Sequence, residues 1–112
     1  MPFIEVKTTE DLSAVAEQLK SELGQAITAI PGKSESWLMV NLIGNQQMYF
    51  KGSDAPCALF SVSIFGTATD DAYDDLTRRL CTLAEKYLQV PPERTYVRYR
   101  EVDHWGYNNF NF

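Results

Sequence analysis

Cysteine, histidine and long apolar runs are all scarce in this 112-residue chain, and each scarcity narrows what it can be. The two cysteines, Cys57 and Cys81, fall in a strand-like and a helix-like run. That placement suits buried free thiols in a reducing compartment rather than a disulfide framework. A single histidine, His104, and the lack of any Cys-x-x-Cys spacing leave no ligand pattern for a metal, so neither a metal nor another cofactor is expected. No stretch approaches the roughly 18 apolar residues that span a bilayer, and no membrane partner is expected. The start holds no basic segment followed by an apolar one, because Glu5, Lys7, Glu10 and Asp11 interrupt it. Export by a classical signal is therefore not expected, and a cytoplasmic location is, with non-classical secretion left open. Ten basic residues against fifteen acidic ones give a net charge of −5, and the basic ones are scattered. Nucleic acid is thereby disfavoured as a partner, and an anionic ligand would need cations gathered locally.

What is present reads as one domain over residues 1–112, of a size at which a single core is marginal and oligomerisation helps to bury apolar surface. Phe3 to Lys7 alternate as in a half-buried strand. Thr8 and Asp11 have capping-box spacing ahead of a stripe made by Leu12, Val15, Ala16, Leu19, Leu23, Ala26, Ile27 and Ile30, which predicts a helix ended by Pro31-Gly32. Trp37 to Ile43 is nearly continuous in hydrophobicity, as in a strand covered on both faces. The plan then repeats. Cys57 to Phe65 predicts a strand, Thr67 to Asp71 a helix start, Tyr73 to Leu88 a second helical stripe, and Thr95 to Arg100 a fourth strand after Pro91-Pro92. Ile30-Pro31 matches Val90-Pro91, and Trp37 matches Tyr96, at displacements near sixty residues.

Such a duplication predicts an α+β, two-layer fold: two βαβ units forming a four-stranded mixed sheet with both helices on one face. The other face is left bare and apolar, and needs a partner. Met48-Tyr49-Phe50 is a candidate edge strand. The tail from His104 to Phe112 carries four aromatics in its last eight residues and is expected to dock on this domain or a neighbour. Asp70, Asp71, Asp74 and Asp75 read as acids complementing a helix start.

The most consequential single residue is Pro2. Met-Pro is an ordinary way for a chain to begin, and Pro is tolerated at the head of a strand. If Met1 is removed, however, Pro2 offers a secondary amine at a position fixed by sheet pairing. A free α-amino group titrates near ~8, and burial beside a cation lowers that value towards a base active at neutral pH. With Met1 attached, the nitrogen is a tertiary amide and not a base.

Several motifs accompany that start: Met-Pro-Phe-Ile, Pro31-Gly32-Lys33, Gly52 to Leu59, Pro92-Glu93-Arg94-Thr95-Tyr96 and Gly106-Tyr107-Asn108-Asn109. Together, over nearly the whole chain, they resemble the macrophage migration inhibitory factor branch of the tautomerase superfamily. The resemblance implies a ring-shaped homotrimer and a keto–enol tautomerase acting on small anionic 2-keto or enol acids of the phenylpyruvate type. It implies Pro2 as catalytic base, Lys33 as a contact to substrate oxygens, Ile64 and Phe65 as backbone and apolar contacts, and Tyr96 as a contribution from an adjacent subunit. Arg98 falls where the animal cytokines carry asparagine and is expected to grip a carboxylate. Phe3, Trp37 and Tyr107, with Trp105, are expected to form an aromatic pocket wall. Cys57-Ala58-Leu59-Phe60 lacks the second cysteine of the animal relatives' Cys-x-x-Cys, so no thiol oxidoreductase activity is expected. The alternative is a cytokine-like interaction protein with a vestigial pocket, although no sequence feature here supports receptor binding.

Overall fold

Alternation of inward apolar and outward side chains from Pro2 to Thr8 makes a strand with one buried row, and this strand, β1 (Pro2–Thr8), is central to the sheet. The structure, a computed structural model, describes Met1–Phe112. After β1 come α1 (Ala16–Ala26), β2 (Met39–Ile43), β3 (Ala58–Phe65), α2 (Asp70–Leu83) and β4 (Thr95–Val102). A terminal hairpin, β5 (Gly106–Tyr107) and β6 (Phe110–Asn111), completes the chain. The four long strands form one sheet in the order β2-β1-β3-β4. β1 runs parallel to β2 and β3 parallel to β4, while β1 and β3 pair antiparallel with Pro2 opposite Ile64. Two βαβ units thus meet edge to edge, and right-handed crossovers put both helices on one face. Ile4, Val6, Phe60 and Val62 from the sheet pack with Leu19, Leu23, Leu76 and Leu80 from the helices in one buried cluster. The two-layer α+β fold expected from the sequence pattern is the one adopted.

Strand register sharpens the duplication. Phe3 pairs with Met39 as Leu59 pairs with Tyr96, so the counterpart of Tyr96 is Met39 and not Trp37. Trp37 instead corresponds to Arg94, each ending a short 3-10 turn just before its strand. The punctuation misleads because the first helix-to-strand connection is longer, containing the Gly32 turn at φ +81°.

Other expectations give way to tertiary contacts. Thr8 does not cap α1; it ends β1, buried, and its hydroxyl donates to the Cys57 carbonyl at 2.8 Å. Asp11 accepts instead from the Ser13 amide at 3.0 Å, and α1 begins later, at Ala16, with no side-chain cap. Its partner α2 does have one, since the Thr69 hydroxyl accepts from the Ala72 amide at 3.1 Å. Met48-Tyr49-Phe50 forms no strand in the sheet, and only Phe50 makes an isolated bridge, to Ser53. β2 is an edge strand covered on one face, with Met39 68 % exposed. The bare sheet face is not a greasy surface either. It carries Glu5, Lys7, Asn41, Ser61, Ser63, Arg98 and Arg100 between apolar ends.

The loop joining the two units is held by one side chain. Arg94 donates Nε to the Pro56 carbonyl at 2.9 Å, Nη1 to Phe50 at 3.1 Å, and Nη2 to Ser53 and Ala55 at 3.1 and 2.9 Å. Its guanidinium also lies 5.3 Å from the Phe50 ring centroid. Hydrogen bonds from a charged donor contribute about 1.5–3 kcal/mol each at most, and these share one ordering cost. Replacement by methionine, which keeps the stem and removes every donor, is expected to lower unfolding free energy by about 2–4 kcal/mol. Denaturant titration checks the magnitude, and faster proteolysis within residues 45–56 checks the location.

Candidate active site

The head of β1 lies beside the end of β3, and this pairing brings the chain start to Lys33. The Phe65 amide donates to the Met1 carbonyl at 3.0 Å, while the Phe65 carbonyl accepts from Lys33 Nζ, also at 3.0 Å. Lys33 reaches this corner because Ile30 ends the helical segment in extended geometry and Gly32 takes a left-handed turn, closed by the Lys33 amide on the Ile30 carbonyl at 3.1 Å. The α-amino group at Met1 is held below its ordinary value, first by burial and then by the charge and hydrogen bonding of Lys33. An amine is therefore more readily uncharged at this corner than at a free chain end.

Beside it opens a cleft of about 650 Å³. One wall is the strand end itself: Met1, Pro2 and Phe3 from β1, Met39 from β2 and Ser63 from β3. Ser36, Trp37 and Leu38, from the turn before β2, form a second wall. Val102, Trp105, Gly106 and Tyr107 form the third. Eight of the twelve lining residues are hydrophobic and none carries a charged side chain, so any charge on a ligand must be met at the rim. The expected docking of the tail occurs here. Asn108 and Asn109, at φ 53° and 75°, make the tight turn between β5 and β6, a left-handed pair that asparagine tolerates. The Tyr107 ring meets Trp37 edge-on at 5.2 Å and stacks with Phe112 at 6.2 Å. Phe112 also packs on Phe65 at 6.1 Å, which ties the tail to the Lys33 corner.

Pro2, Phe3, Trp37 and Tyr107 are thus gathered around one cleft, with Lys33 and Phe65 at its corner. Ile64 is opposite Pro2, but its side chain is fully buried towards the helices, leaving only its backbone near the site. Tyr96 and Arg98 lie elsewhere in the protomer. Tyr96 pairs with Leu59 at the far end of β3, is 62 % exposed and packs edge-on against Phe50 at 4.9 Å. At about 3.3 Å per residue that is some 17 Å along the sheet from Ile64. Arg98 pairs with Ser61 and donates Nη2 to its hydroxyl at 3.0 Å. Sequence reasoning overlooked Ser63 and Val102, which line the cleft, and Arg100, which pairs with Ser63. Only strand register reveals them, because nothing in the local pattern says which residue faces Phe3. A second hollow, of about 310 Å³ between α1 and α2, is lined by Glu22, Gln25, Arg78 and Arg79. Both of its arginines are already paired with Asp75.

Removing the Lys33 cation makes protonation of the neighbouring amine less costly, so Lys33→Gln is expected to raise the amine's pKa towards the ordinary value near ~8. The pH midpoint of acylation at the chain's first residue, resolved from lysine labelling by peptide mass spectrometry, should move upward accordingly.

Three comparisons place this geometry among known proteins. The family model described as macrophage migration inhibitory factor matches residues 1–110. The macrophage migration inhibitory factor of Meriones unguiculatus is 32 % identical, with 100 % of this chain and 99 % of the relative aligned. Among solved structures, MIF2 of Leishmania major superposes with a TM-score of 0.92 at 28 % identity, covering 100 % of this chain and 97 % of that one. The macrophage migration inhibitory factor homologue of Prochlorococcus marinus gives 0.90 at 25 % identity, with 98 % of each chain covered. Matched from end to end in sequence and in fold, the chain belongs to the macrophage migration inhibitory factor family.

Proposed function

We propose that the protein is a cofactor-independent keto–enol tautomerase of small 2-keto and enol acids, phenylpyruvate among them. Its general base is the Pro2 amine freed by removal of Met1. The observation that carries this reading is the pairing of Pro2 with Ile64, which sets it next to the Phe65 carbonyl that accepts from Lys33, at the corner of an apolar cleft. An uncharged amine there accepts a proton from the carbon next to the substrate carbonyl. The electron pair left behind forms the enolate, whose oxygen is stabilised by the Lys33 ammonium. Return of the proton to the oxygen gives the enol, and the reverse sequence restores the ketone. Phe3, Trp37 and Tyr107 hold the apolar part of the substrate, and Ile64 and Phe65 contribute through their backbone at the strand end.

Tyr96, at the far end of β3, cannot join this cleft from the same protomer, and both β2 and β4 have unpaired edges. A closed ring of three copies answers both facts, with the sheet edges paired and Tyr96 delivered to the cleft of a neighbour. The polar character of the open sheet face suits a wet central channel better than a dry interface. No helix is long and apolar enough to cross a membrane.

The intact mass of the native protein should correspond to a chain lacking Met1. The trimmed protein should convert enol phenylpyruvate about a hundredfold faster, or more, than Pro2→Gly, the usual scale for a general base. Equal rates would remove the enzyme reading in favour of a binding protein with an idle pocket. Sedimentation should give three times the protomer mass.

A further inference from the structure

Two arginines of this acid-rich chain have no carboxylate partner and no carbonyl clamp, and they stand side by side. Arg78 and Arg79 are paired with Asp75, and Arg94 is occupied by four backbone carbonyls. Arg98 has only the Ser61 hydroxyl, and Arg100 is exposed with no hydrogen bond or ion pair. Both project from the open face of β4, roughly 7 Å apart, as alternate residues of a strand must. Register sets Ser61 beside Arg98 and Ser63 beside Arg100, so two hydroxyls alternate with two guanidinium forks in a single block. The one carboxylate sharing this face, Glu5, is two strands away and engaged by Lys7 at 3.5 Å and Asn41 at 3.3 Å. With fifteen acids available to ten bases, two neighbouring cations left open constitute a prepared place for an anion.

The block also adjoins the cleft. Ser63 is both the partner of Arg100 and a lining residue, and Val102, next but one along β4, is another. Arg100 is two strands from Phe3, about 10 Å at the usual strand spacing. The cleft thus meets the Lys33 corner at Met1 and Pro2 and the Arg98–Arg100 block at Ser63, and none of its lining residues carries a charged side chain.

We propose that the Arg98–Arg100–Ser61–Ser63 block is a second anion subsite, and that the natural substrate is a diacid: a 2-keto or enol acid whose far end carries another carboxylate. This rests on the proposed tautomerase reading for the first acid group only, which sits at the Lys33 corner. The block binds an acid whether or not Pro2 is a base. In a ring, the same block from a neighbour would serve the same purpose, and the variants below remove it in either case.

The test is binding without chemistry. Calorimetry on the full-length protein, in 0.15 M salt, compares a series of unreactive straight-chain α,ω-dicarboxylates with monocarboxylates of equal length. At one favoured length the diacid should bind roughly tenfold tighter. The charge of −5 opposes a general preference for dianions, so such a gap reports a local site. Arg98→Gln/Arg100→Gln should collapse the gap, bringing the diacid-to-monoacid affinity ratio to about one. Pro2→Gly should leave the gap intact. No gap at any length, or a gap that survives in the double variant of a protein with unchanged circular dichroism and oligomeric mass, overturns the proposal. Loss of Pro2-dependent turnover with the gap preserved would instead overturn only the tautomerase reading.

Discussion

Antiparallel pairing of β1 with β3 is the constraint on which the site depends. It sets Pro2 opposite Ile64 and so presents the next peptide unit, at Phe65, to the start of the chain. In the untrimmed chain the Phe65 amide holds the Met1 carbonyl and its carbonyl holds the Lys33 ammonium, so two groups distant in sequence meet at one residue's backbone. Backbone anchoring of this kind tolerates side-chain change, because both bonds are made by atoms that every residue except proline possesses. What must be kept is the register. A slip of one residue would turn every buried side chain of β1 to the open face, and burial of Ile4 and Val6 is what forbids it.

Around that corner the fold divides its labour between two faces. The helix-covered face is apolar and closely packed. Its few polar groups are satisfied locally, as where the Tyr99 hydroxyl meets Thr77 at 2.7 Å and the Tyr73 hydroxyl donates to Glu101 at 2.6 Å. The open face has charges and hydroxyls in its middle and hydrophobic groups towards its ends, where the cleft and Tyr96 lie. Such a face is poorly suited to a dry contact and well suited to water and anions. Duplication makes the division possible. Each βαβ unit covers half of one face, and the two second strands, β2 and β4, become the edges.

The two halves have diverged at one informative place. Trp37 and Arg94 are structural counterparts, each at the end of a 3-10 turn before its strand. In the first half that position is open and aromatic and lines the cleft. In the second it is filled by a guanidinium locked on four carbonyls of the connecting loop. One copy of the unit thus keeps a hollow while the other closes it, which fixes the loop between them.

Composition and periodicity alone were enough to identify the class of fold. Stripes at three-and-four spacing, alternation in the strands and the repeated proline breaks specify two βαβ units with little ambiguity, since burial of apolar faces allows few other arrangements. The motif pattern likewise marked Pro2, Lys33, Phe3, Trp37 and Tyr107, which do gather at one place. Local signals failed where a distant partner outcompeted them: Thr8 resembled a cap but was claimed by the Cys57 carbonyl across the sheet. The polarity of the open face, the roles of Ser63 and Arg100, and the separation of Tyr96 and Arg98 from Pro2 were decided by tertiary structure. The physical reason is that strand register depends on which rows can be buried together, and that is a property of two distant segments rather than of either one.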